Sequence, residues 1–320
     1  MKNFNNILKF ALCAILFTGF ASCSDDDDAL NQGPTAYDLL LTSPNYSSLR
    51  AAVDAAGLTA TLADPNADLT VFAPDNTAFT SYLDGIALED VPVAALRNIL
   101  LNHVIQGEVL ASQFTTGYVK TSASNSGGDA LDIYVLADED GVLINDYVAV
   151  DVADNMVSNG VVHLVDEVLA PSVITDFLDA DENFSVLLTA INQENLFDTL
   201  EDENATFTVF APNDAAFTAL IDEDPNDDID NAGDILGLSN LSDILTYHVV
   251  SGAAVRAGDI MNGMTVNPLF DNPNSSFTIS TSGANPVITD GASRNTTIIA
   301  NDVTAVNGVV HVIDNVLLSN

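Results

Sequence analysis

The chain contains two similar segments in which the order of apolar and polar residues predicts a strand followed by a helix. The β-favouring run of residues 70–72 precedes Pro74, which ends a strand, and Asp75, which can cap a helix by accepting from its free N–H groups. Ala78, Phe79, Tyr82 and Leu83 then fall on one stripe of that helix, so it packs inward. Residues 208–213 repeat the strand and the cap.

Two further patterns complete the predicted unit. The segment from Leu96 to Ile105 has apolar residues at helical spacing and predicts an amphipathic helix that ends near Gly107. The block NGVVHLVDEVL, residues 159–169, opens with a turn signal and continues as a buried strand. Residues 115–152 and 262–300 alternate in short runs between turn residues and predict hairpins. The fold class is therefore α+β.

All of these blocks occur twice in the same order, which indicates a duplicated domain. TVFAPDNTAF is matched by TVFAPNDAAF, and NGVVHLVDEVL by NGVVHVIDNVL. The second copy differs by an acidic insertion after Asp222. With a seam at Ala170–Ser172, we predict one domain over residues 36–171 and a second over residues 172–320.

The N-terminal residues predict export rather than folding. Residues 1–22 combine Lys2 and Lys9 with an apolar run too short to span a bilayer. They lead into Cys23 through a Phe-Ala-Ser-Cys sequence that resembles a bacterial lipobox, so we predict a lipoprotein signal peptide and lipid attachment at Cys23. An ordinary secretory signal is the alternative.

Residues 23–35 are predicted to form an acidic tether. The run Asp25–Asp28 resembles the signal that sends some Gram-negative lipoproteins to the outer face of the outer membrane, although it is also typical of a solvated spacer. We therefore expect an outer-membrane lipoprotein exposed at the cell surface. Periplasm-facing and secreted forms are the alternatives.

The charge of the chain restricts its partners. It has 46 acidic and 7 basic residues, a net charge of −39, and the signal peptide contains two of the basic residues. Such a surface repels phosphate backbones and anionic head groups, so nucleic-acid binding is not expected and the membrane is contacted only through the N-terminal lipid. Since Cys13 lies in the signal peptide and Cys23 is the lipidated residue, thiol catalysis and thiolate metal sites are excluded.

These blocks resemble a pair of fasciclin domains. The family is marked by a TVFAP-type block with a following Ala-Phe pair, by a closing NGVIHVID-type strand, and by a Tyr-His pair between them. The resemblance implies a β-wedge of two small sheets flanked by several helices, and a role in adhesion. It also implies a partner contact at Tyr247 and His248, whereas Asn102 and His103 occupy the matching positions of the first copy.

Each chemical candidate also has a structural interpretation. His103 and His248 lie on apolar helix stripes, and His163 and His311 on a strand face with valines, so we expect all four in the core. Alternate oxygen ligands after the second-copy helix favour at most a weak calcium site, because the turn glycine and the chelating glutamate of a calcium loop are missing. These candidates are Asp222, Asp224, Asn226, Asp228 and Asp230.

We find no catalytic motif and predict no catalytic residue and no required cofactor. The leading hypothesis is a surface-anchored adhesion or binding module whose partners are surface proteins or extracellular polysaccharide. A passive structural spacer of the cell envelope is the alternative. A glycan-acting enzyme is a distant third, since carboxylate pairs cannot be assigned from sequence alone.

Overall fold

A computed structural model describes residues 33–222, 231–270, 272 and 275–319. From Gly33 onward the chain forms one compact unit that contains the same α+β domain twice. The fold class predicted from the sequence is confirmed.

Five helices and seven strands make up domain 1. The helices are α1 (Ala36–Thr42), α2 (Ser47–Ala55), α3 (Thr59–Leu62), α4 (Asn76–Leu83) and α5 (Val93–Asn102). The strands are β1 (Leu69–Pro74), β2 (Val104–Gln106), β3 (Gly117–Ser124), β4 (Ala130–Asp138), β5 (Gly141–Ile144), β6 (Val148–Val157) and β7 (Gly160–Val165). They pair in the order β2-β1-β7-β6-β5-β4-β3, and only β1 and β7 run parallel to each other.

Domain 2 repeats this topology. Its described helices are α6 (Ile174–Ala180), α7 (Ser185–Gln193), α8 (Phe197–Glu201), α9 (Asp214–Ile221), α10 (Ala232–Leu236) and α11 (Leu241–Tyr247). Its strands are β8 (Phe207–Pro212), β9 (Val249–Ser251), β10 (Met264–Val266), β11 (Phe277–Ser280), β12 (Val287–Thr289), β13 (Asn295–Ala305) and β14 (Gly308–Ile313). The strand order is β10-β11-β12-β13-β14-β8-β9.

The strand-to-helix corner forms as its sequence predicts. Pro74 is the last residue of β1, and the Asp75 carboxylate accepts from the amides of Thr77 and Ala78 at 2.7 and 2.9 Å. In domain 2, the Asn213 side chain accepts from the Ala216 amide at 2.9 Å. Both caps satisfy amides that a helix leaves free at its start.

The predicted helix over 96–105 ends earlier than expected. Helix α5 stops at Asn102, and the β-branched Val104 and Ile105 pair with Val71 and Thr70 as strand β2. In the sequence, the helical spacing of apolar residues continues through Val104 and Ile105. In the structure, pairing beside β1 satisfies their backbone groups and buries their side chains. The hairpins predicted over 115–152 and 262–300 are confirmed as β3–β6 and β10–β13.

Asn159 and Asn307 explain why the NG pair recurs. The Asn159 side chain accepts from the Ala36 amide at 2.8 Å and donates to the Leu62 and Asp64 carbonyls at 2.9 and 3.0 Å. Asn307 makes the equivalent bonds to the first helix and to the loop before the first strand of domain 2. The buried amide therefore joins three segments that are distant in sequence.

The glycine of each pair is required by a close backbone approach. Gly160 has φ +131°, and a Cβ atom there would lie 1.9 Å from the Leu69 carbonyl oxygen. At Gly308 the corresponding distance to the Phe207 carbonyl oxygen is 2.0 Å. No side chain fits between these parallel strands.

We expect Gly160→Ala to destabilise domain 1 by more than about 3 kcal/mol, because β1 and β7 must separate to admit the methyl group. Gly128→Ala is the matched control, since Gly128 also has positive φ but no atom within 4 Å of its Cβ position. The control should cost only about 1–2 kcal/mol of backbone strain. Denaturant unfolding followed by circular dichroism measures both, and equal losses would contradict the close-approach explanation.

Candidate interaction site

The two helix-end histidines are structural. His103 Nδ1 donates to the Ile99 carbonyl at 2.8 Å, and its Nε2 accepts from the Leu169 amide at 2.9 Å. His248 makes the same pair of bonds, to the Ile244 carbonyl and from the Leu317 amide, both at 2.8 Å. Because the amide must donate, each ring is neutral with its proton on Nδ1. The core location predicted for both side chains is confirmed.

Tyr247 does not face solvent either. Its side chain is fully buried, its hydroxyl accepts from the Gly291 amide at 2.9 Å, and its ring packs against Phe277 and Phe270. The partner contact implied for Tyr247 and His248 is therefore corrected: both side chains pack inside domain 2, and a partner at its surface meets neither.

Asn102 replaces this tyrosine in domain 1 and is also buried. It donates to the Leu169 and Ala170 carbonyls at 3.3 and 3.1 Å and accepts from the Thr121 hydroxyl at 3.1 Å. Asn102 and Tyr247 occupy equivalent positions in the two domains but bond different segments: Asn102 bonds the Leu169 and Ala170 carbonyls, and Tyr247 bonds the Gly291 amide. The difference between the two copies alters packing rather than exposed chemistry.

The strand histidines are held in the same manner. His163 Nε2 donates to the Val109 carbonyl at 2.9 Å, and its Nδ1 accepts from the Asp154 amide at 3.2 Å. His311 makes the equivalent bonds to Val255 and from Asp302. Both rings pack on a phenylalanine of the TVFAP strand, so the core location predicted for them is confirmed as well.

Several predicted sites lie outside the described residues. These are Cys23 and four of the five calcium candidates, Asp224, Asn226, Asp228 and Asp230. Asp222 follows α9, and its amide donates to the Thr218 carbonyl. Within the described ranges, no three His, Cys, Asp or Glu side chains form a group that could hold a metal ion. A calcium contact therefore stays a prediction.

No described helix is both long and apolar enough to cross a membrane.

The most distinctive contact of the described chain joins the two domains. Strand β4 of domain 1 lies against β13 and α6 of domain 2. Tyr134 of β4 belongs to the buried core of domain 2, and Tyr118 and Leu136 pack against that core. The core of domain 2 is therefore completed by domain 1.

An ion pair lies at the centre of this interface. Lys120 Nζ is 2.5 Å from the Asp132 carboxylate and also donates to the Asp302 carbonyl and the Thr304 hydroxyl, at 2.7 and 2.9 Å. The Asp132 carboxylate accepts from the Thr304 amide at 2.6 Å. Burial raises the pKa of Asp132, and the Lys120 ammonium and the Thr304 amide partly offset that rise.

An aromatic cluster forms a second part of the interface. The Tyr118 ring meets Phe177 edge to face at 5.6 Å, and its hydroxyl donates to the Asp181 carboxylate at 2.9 Å. The Tyr134 hydroxyl reaches the other oxygen of Asp181 at 3.4 Å. Burial, and then the charge of Asp181, raises the pKa of Tyr134 to about 12, so both hydroxyls stay protonated donors at neutral pH.

Basic residues are concentrated here. Only five Lys or Arg residues follow residue 22, and two of them, Lys120 and Arg256, lie at the interface. Arg256 pairs with Asp129 of domain 1 at 2.8 Å and donates to Thr304 at 2.8 Å. In so acidic a chain, these cations offset repulsion between the domains where they meet.

Sequence reasoning missed this interface although a signal was present. Residues Tyr118, Lys120, Asp132 and Tyr134 lie on the face of the β3–β4 hairpin opposite the buried Ile133. A lysine and two tyrosines on the outer face of one hairpin are unusual in an acidic chain. Alternation predicted that this face points away from the core of domain 1, but not that domain 2 covers it.

Two open grooves flank β5 on domain 1. One has a volume of about 400 Å³ and includes Phe114 and Ala153, and the other, of about 350 Å³, includes Leu136 and Leu143. Asp138, Gly141, Val142 and Val150 line both. Most residues that line them are apolar, Asp138 contributes a carboxylate to each, and Asp140 adds another to the smaller groove.

A seven-stranded α+β wedge that occurs twice, with its histidines and NG pairs in equivalent core positions, defines a tandem pair of one domain class. Residues 44–171 and 182–319 match the fasciclin domain. The chain belongs to the fasciclin family.

Similar proteins occur in bacteria and animals. The chain is 37% identical over 145 residues to the uncharacterized protein sll1735 of Synechocystis, a match that covers 45% of this chain and 96% of that protein. It is 31% identical over 254 residues to the transforming growth factor-beta-induced protein ig-h3 of Sus scrofa, which covers 79% of this chain and 33% of that longer protein.

The fold is similar to that of a solved structure, a FAS1 domain pair from the insect cell adhesion molecule fasciclin I. The TM-score is 0.53 at 23% identity, and the match covers 85% of this chain and 97% of the insect chain. This likeness supports the arrangement of strands and helices in both domains.

We expect both domains to lose stability as the pH falls from about 6.5 to 4. Burial lowers the pKa of His103 and of His248 to about 4, so in this window the unfolded chain binds protons that the folded chain excludes. Each histidine should remove on the order of 3 kcal/mol across the window. Unfolding free energies of the parent and of His103→Gln at several pH values test this, and equal pH slopes for the two proteins would contradict it.

Proposed function

We propose that this protein is a surface-anchored adhesion or binding module. The carrying observation is the tandem fasciclin pair itself, an architecture that the chain shares with a domain pair of an insect cell adhesion molecule. The repeated histidines and Tyr247 are buried inside the domains, so a partner has to contact other residues on the outer surface. The domain pair therefore offers open surfaces for binding rather than an enclosed reaction centre.

The proposed anchor is a lipid on Cys23, with residues 24–35 as tether. The lipobox-like residues before Cys23 and the aspartates after it support this placement at the outer membrane. Pro34 accepts from the Ser158 amide at 2.8 Å, so the last residues of the predicted tether are already joined to domain 1. A short polar linker of this kind would hold the domain pair close to the membrane.

Charge decides which partners fit best. A net charge of −39 repels acidic polysaccharides, whereas neutral polysaccharides and basic protein surfaces meet no such barrier. The grooves beside β5 combine apolar lining residues with the Asp138 carboxylate, which suits a protein segment that combines an apolar side chain with a lysine or arginine. We therefore place surface proteins and neutral polysaccharide before acidic glycans.

Solid-phase binding of residues 33–320 to a basic protein surface, to neutral and acidic polysaccharides and to whole cells tests the proposal. We expect binding to the basic and neutral classes, with the basic class weakened by salt. Ala153→Lys, which adds a cation at an exposed lining residue of the larger groove, should weaken binding of the basic surface there, while Val93→Lys, at an exposed valine away from the grooves, should not.

The cellular arm distinguishes adhesion from a passive spacer. A strain that lacks the protein should attach and aggregate less than the parent strain. An unrelated stalk on the same lipid anchor should not restore attachment or aggregation. Restoration by the stalk would favour the spacer. Unchanged attachment in the deletion strain, together with a fragment that binds nothing, would overturn the adhesion proposal.

A further inference from the structure

The surface of domain 2 that domain 1 covers has a direct counterpart on domain 1. Strand registers against β7 and β14 equate Val152 with Ala300 and Met156 with Thr304. Asp154 and Asp302 correspond as well, since both have positive φ and each accepts from the amide of an equivalent loop residue. Helix α1 corresponds to α6, so Leu39 stands where Phe177 meets Tyr118.

On domain 1 this counterpart surface is open and apolar. Val152 and Met156 are 49% and 55% exposed, and Leu39 is partly exposed. The matching Thr304 and Phe177 of domain 2 are buried by the first domain. We call the surface formed by Leu39, Val152 and Met156 the acceptor face.

Domain 2 carries the same hairpin with smaller side chains, since Gly263 and Ser280 stand where Tyr118 and Tyr134 lie in domain 1. In domain 1, Lys120 pairs with Asp132 next to the buried Ile133, and in domain 2 Thr265 pairs with Thr278 next to the buried Ile279. Thr265 and Thr278 are exposed, and the nearby Met261 is 76% exposed. We call the outer side of β10–β11 around these residues the donor face.

The donor face is also the part of the chain with least charge. In the sequence, residues 260–289 contain a single charged residue, Asp271, in a chain whose net charge is −39. A second acidic copy is therefore repelled less at this end than elsewhere. Neutral threonines can approach the acceptor face, with its neighbouring Asp154, without a like-charge contact.

We infer that two copies of this protein associate head to tail, the donor face of one docking on the acceptor face of the next. In this contact β11 takes the place of β4 against β6 and α1 of the other copy, and threonines take the place of the Lys120–Asp132 pair. Since the two faces differ, each association leaves one face of each kind free, and further copies can add. This goes beyond the proposed function, and it requires neither the lipid anchor nor a ligand.

Disulfide trapping tests the geometry directly. Position 156 corresponds to Thr304 and position 278 to Asp132, which are joined by a 2.6 Å hydrogen bond within the chain. Residues 33–320 contain no cysteine, so M156C/T278C on this compact unit provides two defined thiols. Under mild oxidation we expect a ladder of disulfide-linked dimers, trimers and longer species on a non-reducing gel.

The control pairs the same donor position with an exposed residue outside the acceptor face. Ile86 is 58% exposed, and I86C/T278C should remain largely monomeric under the same oxidation. A ladder of equal extent from both variants would overturn the inference. So would a product of M156C/T278C that stops at dimers in which residue 156 is linked to residue 156.

Sedimentation velocity tests association without cysteines. The sedimentation coefficient of residues 33–320 should rise with concentration, and M156D or T278D should each abolish the rise while I86D should not. Mixing M156D with T278D should restore dimers and nothing larger, because only one intact donor and one intact acceptor can meet. A parent protein that stays monomeric at every concentration, with no ladder above the control, would overturn the inference.

Discussion

The arrangement of the domain pair depends on the contact of the buried Asp132 carboxylate with Lys120 and with the backbone of β13. This contact allows a carboxylate that is 4% exposed to sit between two acidic domains. Such a group is costly to bury unless it is paired and hydrogen-bonded. Around it, Tyr118, Tyr134 and Leu136 complete the core of domain 2, and burying a side chain such as Phe177 is worth about 1.5–3 kcal/mol. The ion pair sets the register of the interface, and the aromatic residues supply most of its stabilisation.

Several polar residues recur in both copies and therefore resemble functional residues, but they recur because each domain needs them for packing. His103 and His248 each join a helix end to the segment after the closing strand, and Asn159 and Asn307 each join three distant segments. Because a buried polar group requires its partners, both copies must keep these residues. The features that differ between the copies, such as the hairpin charges, determine which surfaces are covered and which stay open.

Much of this fold could be predicted from the sequence. The TVFAP strand, its cap, the hairpins and the core histidines follow from local propensity, capping chemistry and periodicity. Helix α5 was predicted too long because Val104 and Ile105 fit a helical stripe and a strand equally well, and only the neighbouring β1 decides between them. Tyr247 was assigned to a partner by resemblance, although its hydroxyl bonds the Gly291 amide inside the domain. The interface was missed because alternation identifies the outer face of β4 but not what covers it.

Equilibrium unfolding of residues 33–320, compared with residues 172–320 alone, tests most directly whether domain 1 completes domain 2. The account predicts one cooperative transition for the pair and a markedly lower midpoint for the isolated second domain, whose core around Phe177 is then exposed to water. Two independent transitions in the pair, with domain 2 equally stable alone and attached, would contradict it.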